Sequence, residues 1–168
     1  MKKILISCIL ASSLLLSNSF GQLGLGYSKG DNADNFITAF GSLNLLGNIG
    51  LRLEYTKNMT ENPDFSKEDL SRYGVYATYT LPLIGGFSLT PKIGFNKTDS
   101  AFTVFETFEK VSDSSTDFTY GLEANYAFNE KMSLFVGYTD YGNKLKINHV
   151  DTSNLDTANY TFGIKLDF

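Results

Sequence analysis

The 168-residue chain has few of the side chains that most covalent and metal chemistry needs. It holds one cysteine, Cys8, and one histidine, His149. A lone thiol near the amino terminus excludes an internal disulfide, and these two residues cannot form a Cys/His metal set. Tryptophan is absent, and there are three prolines. No apolar run reaches the roughly 18 residues that a spanning helix requires. That absence leaves membrane barrels open, because their strands are apolar only at alternate positions. Basic residues are also few: 14 Lys and Arg stand against 18 Asp and Glu, for a net charge of −4. The balance argues against nucleic acid, which selects for a basic stripe.

What is abundant is Phe (14), Tyr (10) and Gly (15), a mixture suited to a small crowded barrel with aromatic girdles. The amino terminus carries an address. Met1-Lys2-Lys3 is basic, Ile4 to Leu16 is apolar apart from three serines, and Ser19-Phe20-Gly21 places small residues where a signal peptidase reads. The pattern predicts a signal peptide over 1–21, cleaved after Gly21, and one mature domain over 22–168. Leu5-Ile6-Ser7-Cys8 faintly resembles a lipoprotein cleavage box, but it precedes most of the apolar stretch.

The carboxy terminus sets the reading of the rest. From Tyr160, every second residue is large and apolar (Tyr160, Phe162, Ile164, Leu166, Phe168), and Thr161, Gly163, Lys165 and Asp167 stand between them. In a strand these two sets face opposite ways. The same alternation predicts strands at about 22–29, 36–45, 49–57, 72–81, 87–96, 117–128 and 132–141 before the last one. Connections after the second, fourth and sixth are short. Those after the first, third, fifth and seventh run to about 6, 14, 20 and 16 residues. Short turns on one side and long loops on the other predict an all-β fold: an eight-stranded, antiparallel, up-and-down transmembrane barrel. Pro91 falls inside the fifth strand, where a bulge would accommodate it. Phe135 breaks the pattern of the seventh by lying on the polar face.

Gly121 to Leu134, Val136-Gly137-Tyr138-Thr139-Asp140-Tyr141-Gly142 and Tyr160 to Phe168 resemble the closing hairpin and last strand of the small eight-stranded barrels of the opacity-protein and OmpA/OmpX type. The resemblance implies an outer-membrane location, exported through the periplasm, with lipid and lipopolysaccharide as surroundings. It also implies that the barrel-assembly machinery reads Tyr160, Phe162, Ile164, Leu166 and Phe168 as an assembly signal. It implies no single activity. Tyr and Phe would serve in the girdles where relatives use Trp.

Parity places Arg52, Glu54, Lys92, Glu123 and Lys165 inside, with Asp167 near the periplasmic rim. Three positive and three negative groups are expected to balance and pair, because an unpaired buried ion costs several kcal/mol. A salt-bridged plug is the bland reading and an ion gate the functional one. In the third long loop, Phe102, Phe105 and Phe108 stand among charges and suggest a contact surface for an extracellular ligand. Alternatively, the fifth and sixth strands extend above the membrane and pack these rings on one another. No serine sits two residues from His149, as the His–Ser–acid arrangement of a lipid-modifying barrel would need, and Ser153 is near only in sequence. Asp64, Glu68, Asp69, Asp151 and Asp156 read as solvated carboxylates. No catalytic residue, cofactor or metal is expected. The function expected is that of a non-enzymatic surface barrel whose loops bind an external partner. A narrow pore is the alternative, and a lipid-modifying enzyme the third.

Overall fold

The computed structural model describes residues 20–30, 35–59, 69–104, 109–142, 146–147, 150–151 and 158–168. Among these, eight long strands form one closed wall: β1 Gly21–Gly30, β2 Asn35–Leu46, β3 Ile49–Asn58, β4 Asp69–Tyr79, β5 Phe87–Val104, β6 Glu109–Ala127, β7 Met132–Asp140 and β8 Ala158–Asp167. Each strand pairs antiparallel with its sequence neighbour. The circle is completed by β1 on β8, from Gln22 opposite Asp167 to Gly30 opposite Asn159. Closure leaves no strand edge to lipid, where unpaired amides would cost several kcal/mol each.

The alternation of the sequence becomes the two faces of this wall. Leu23, Leu25, Leu51, Leu53, Val75, Ile93, Leu122 and Val136 point outward and are exposed. Thr38, Arg52, Glu54, Lys92, Asn96, Glu123 and Lys165 point inward and are buried. Apolar outside and polar inside is the reverse of a soluble fold, and it suits a hydrocarbon solvent. Two aromatic belts mark the edges of the apolar band. Tyr55 on Tyr73 (5.0 Å between ring centres), Tyr138 on Tyr160 (5.3 Å) and Phe95 on Phe118 (5.8 Å) lie toward the long loops. Phe87 on Tyr126 (4.8 Å) and Phe20 on Phe168 (6.4 Å) lie toward the short turns. The rings supply the amphipathic interface usually shared with tryptophan.

The short turns need left-handed backbone, and glycine supplies it: Gly47 has φ 54° between β2 and β3, and Gly85 has φ 74° before β5. At the seam, the amides of Phe20 (2.6 Å) and Gly21 (3.0 Å) donate to the carbonyl of Phe168, whose own amide donates to Gly21 O at 3.0 Å.

Two expectations are corrected. The stretch read as a long loop over about 97–116 is mostly strand, since β5 and β6 pair without a slip from Phe87–Tyr126 to Val104–Glu109. Above the lipid the outward face no longer has to be apolar, so the period-2 signal fades. Thr, Val and Phe still favour the pleat there. The bulge expected at Pro91 is also absent: Pro91 stands opposite Leu122 in unbroken register. The other flank of β5 accommodates it. There the ladder with β4 ends at Lys92–Thr78, and pairing resumes only at Leu89–Leu81, in a two-residue extension Leu81–Pro82. A residue without an amide proton sits in that gap.

Candidate functional site: the filled barrel interior

Long inward side chains need space that the pleat does not provide. Four of the five charged residues selected by parity obtain it from a glycine directly across the ladder: Glu54 faces Gly74, Lys92 faces Gly121, Glu123 faces Gly137 and Lys165 faces Gly24. The inward rings use the same device. A side chain at Gly24 would overlap the Phe40 ring, and one at Gly74 would overlap the Tyr76 ring. Phe135 fits because Gly26 and Gly163 leave its ring room, and it packs edge-on against Phe40 at 5.5 Å.

All five predicted charges are brought together. Glu123 is the hub. Arg52 donates to it twice, from Nη1 to Oε2 at 2.9 Å and from Nη2 to Oε1 at 3.3 Å. Lys165 Nζ donates to Oε1 of the same carboxylate, which it shares with Arg52 Nη2, and to Asn125 Oδ1. A second pair stands beside it: Lys92 Nζ donates to Glu54 Oε2 at 2.6 Å, and the Tyr141 hydroxyl donates to Glu54 Oε1 at 3.3 Å. Around them, Ser28, Thr38, Thr56 and Thr161 form a hydroxyl belt with spacings of 2.7–3.0 Å.

Parity missed one ion and so miscounted the charge. Arg72 is fully buried and donates from Nη1 to Asn159 Oδ1 at 3.4 Å. Asp167 is only half-buried and accepts from Gln22 Nε2 at 2.7 Å at the rim. The buried ions among the described residues are therefore four cations (Arg52, Arg72, Lys92, Lys165) and two carboxylates (Glu54, Glu123), not the balanced set expected. Aromatic faces offset the excess. Arg52 lies 3.9 Å from the Phe40 ring centre, Arg72 lies 4.5 Å from Tyr141 and 5.0 Å from Phe36, and Lys92 lies 4.8 Å from Tyr76. Lys165 stands 5.2 Å from Phe135. Each ring presents its negative face to a desolvated cation. Arg72 shares parity with Gly74, Tyr76 and Thr78, so the signal was present in the sequence. Tyr141 follows β7 and carried no such signal.

Little room is left. Thr38, Glu54, Lys92, Glu123, Phe135 and Thr139 line a void of about 10 Å³, close to the least that holds a single water. A polar vestibule of about 130 Å³ opens below it among Gln22, Thr80, Ser88, Asn125, Lys165 and Asp167. Phe102 lies in β5 opposite Val111. Phe105, Phe108, His149 and Ser153 fall outside the described residues, as do Asp64, Glu68 and Asp156. No group of three or more His, Cys, Asp or Glu side chains placed to hold a metal stands among the described residues.

A closed eight-stranded wall with an apolar band outside and a ring-lined ionic core inside defines a small transmembrane barrel. The sequence matches, over residues 14–168, the family described as the outer membrane protein beta-barrel domain; the chain belongs to that family, and its place is the cell outer membrane. Comparison with curated protein sequences gives no match. Among solved structures, the barrel is similar to the N-terminal β-barrel domain of Pseudomonas aeruginosa OprF, with a TM-score of 0.69 at 12% identity over 88% of this chain and 96% of that one. It is also similar to Ail, the attachment invasion locus protein of Yersinia pestis (0.56, 16%, 89% and 97%), which has been solved in complex with the heparin analogue sucrose octasulfate. Neisserial surface protein A gives 0.55 at 13%, over 88% and 94%. At these identities the likeness concerns the fold.

Proposed function

We propose that this protein is a non-enzymatic surface barrel: a sealed wall that holds extracellular loops against an external partner, in adhesion or surface protection. The observation that carries this reading is the filled interior. An ion layer centred on Glu123, tiled by Phe40, Phe135 and Tyr76, leaves about 10 Å³ at mid-height. Substrate has no route to it, and a dedicated pore would not spend its axis on five buried rings. The attachment role named for Ail supports the same direction for the loops. Phe102 in β5, with Phe105 and Phe108 between β5 and β6 in sequence, are the contact residues of this proposal. The test is adherence of cells displaying the barrel to a host-cell layer. Replacing Phe105 and Phe108 by Ser removes adherence and leaves heat-modifiable mobility intact. Unchanged adherence retires the loop assignment.

A second reading rests on a separate observation: the polar vestibule of about 130 Å³ and the cation excess above it fit a narrow, anion-preferring path. Planar-bilayer recording separates the two readings. Silence supports the sealed wall, and steps that vanish with Arg52→Ala or Lys92→Ala support the pore.

A further inference from the structure

We propose that the membrane-facing wall over β1–β4 holds a lipid site whose occupant is the phosphorylated, multiply acylated anchor of lipopolysaccharide, lipid A. The wall is not evenly covered there. β2 presents Ile37 and Leu43 outward, but between them only Ala39 and Gly41, both recessed. Leu23 and Leu25 stand on one side of this floor and Leu53 and Tyr55 on the other, in the register Leu25–Ala39–Tyr55 and Leu23–Gly41–Leu53. The result is an apolar groove of about 740 Å³ that opens outward and extends to Val75 and Ile164.

Gly41 differs from the other strand glycines. All but Gly21 face inward, and nearly all leave room for a ring, a charged side chain or neighbouring backbone. Gly21 shares the outward parity of Leu23 but stands at the rim, where a Cβ would meet Ser42 O and the Phe168 ring, so Gly41 is the one outward strand glycine among the described residues that lies within the wall away from the rim. A Cβ there would meet only Leu23 Cδ2, at 3.6 Å, which is ordinary contact. The wall therefore has no need of a glycine at 41, and the missing side chain leaves a depression that the wall's own packing does not require. In hydrocarbon such a depression is filled by an acyl chain or a partner protein. A second copy fits poorly: a twofold interface sets the same patch on itself, and two concave faces enclose a void.

The headgroup end selects the lipid. β2 runs upward from the groove, toward the long loops, to Ile37 and Asn35. Lys57 stands opposite Ile37, and Lys29 stands opposite Asn35. Both lysines point outward and are exposed, beyond the belt formed by Tyr27 and Tyr55. Neither has an ion pair among the described residues, whereas the outward Lys97 on β5 is held by Asp99 at 2.8 Å. Two ammonium groups without an ion pair among the described residues, flanking one strand above a groove wide enough to span three strands, match a lipid with more than one phosphate and several tails. The loop side of the wall faces the outer leaflet, so the occupant is an outer-leaflet lipid.

The experiment titrates lipid A into the refolded full barrel in detergent and counts bound lipid by native mass spectrometry. Wild type retains one lipid A in preference to phosphatidylglycerol. Ala39→Leu with Gly41→Leu, or Ala39→Leu alone should the pair fold poorly, lowers retention by about tenfold. Ala77→Leu, an equally small outward position outside the groove, leaves retention unchanged. Lys29→Gln with Lys57→Gln lowers retention of lipid A to a similar degree but not that of its dephosphorylated form. Folding of each variant is read by heat-modifiable mobility. Equal retention by the groove-filled barrel, an equal effect of Ala77→Leu, or equal binding of phosphatidylglycerol overturns the proposal.

Discussion

Replacing Glu123 by Gln tests the interior most directly. Gln has nearly the same shape, so the perturbation is almost purely one of charge. In the native barrel this carboxylate accepts two hydrogen bonds from Arg52 and one from Lys165, and all three side chains are buried. Removing one partner of a buried pair typically costs about 3–5 kcal/mol, because the other charge stays desolvated and unmatched. Here one substitution strands two cations. Phe40 and Phe135 face them, but a ring face contributes only about 1–2 kcal/mol to each. The loss should therefore lie near the upper end, at about 4–5 kcal/mol. The assay is urea unfolding of the barrel refolded in detergent, followed by heat-modifiable mobility and tyrosine fluorescence. The decisive comparison is Glu123→Gln combined with Lys165→Met. If charge is the cause, removing the second cation returns part of the loss, and the double variant is more stable than Glu123→Gln alone by about 1–2 kcal/mol. Additive losses, or a single-variant loss under about 1 kcal/mol, would refute the argument.

Three further outcomes are expected. Gly24→Val drives a side chain into the Phe40 ring and should prevent refolding, while Gly24→Ala with Phe40→Leu should restore a folded band on the heat-modifiability gel. Lys92→Met leaves the Tyr141 hydroxyl as a donor to Glu54 but removes its cation, and should cost about 3 kcal/mol in the same unfolding assay, less than Glu123→Gln. Intact mass of the protein from the outer membrane should start at Phe20 rather than Gln22. The amides of Phe20 and Gly21 both bond to Phe168, and Ser17 and Ser19 offer small residues for a cut two residues earlier. A start at Gln22 would show that those bonds are dispensable.

Most of the wall was legible because a barrel in lipid obeys a strict rule of two. Leu23, Leu25 and Tyr27, or Phe162, Ile164 and Leu166, cannot change face without exposing backbone partners and charges to hydrocarbon, so their parity also located Arg52, Glu54, Lys92, Glu123 and Lys165. The rule lapses where the solvent changes. Above the membrane Lys97 to Val104 remain strand without any apolar alternation, and a stretch read as loop proved to be a paired hairpin. Arg72 was passed over because it stood at the first position of its expected strand, which in fact begins three residues earlier at Asp69. The charge imbalance followed from that omission and from Asp167, which stays half-buried at the rim. The tolerance of Pro91 was invisible for a different reason. It depends on where the neighbouring ladder breaks, which is a property of two strands and cannot be read from one.

The seam between β1 and β8 also governs the order of assembly. Export is vectorial, so β1 emerges first and the strand that must lie beside it emerges last. No intermediate with fewer strands can close its edges in lipid. The polypeptide therefore crosses the periplasm with its apolar faces uncovered, and those faces are as ready to join another chain as to join one another. For this protein the hazardous interval is transit. Holding factors in the periplasm, more than the strength of the finished wall, would set how much of it reaches the cell surface.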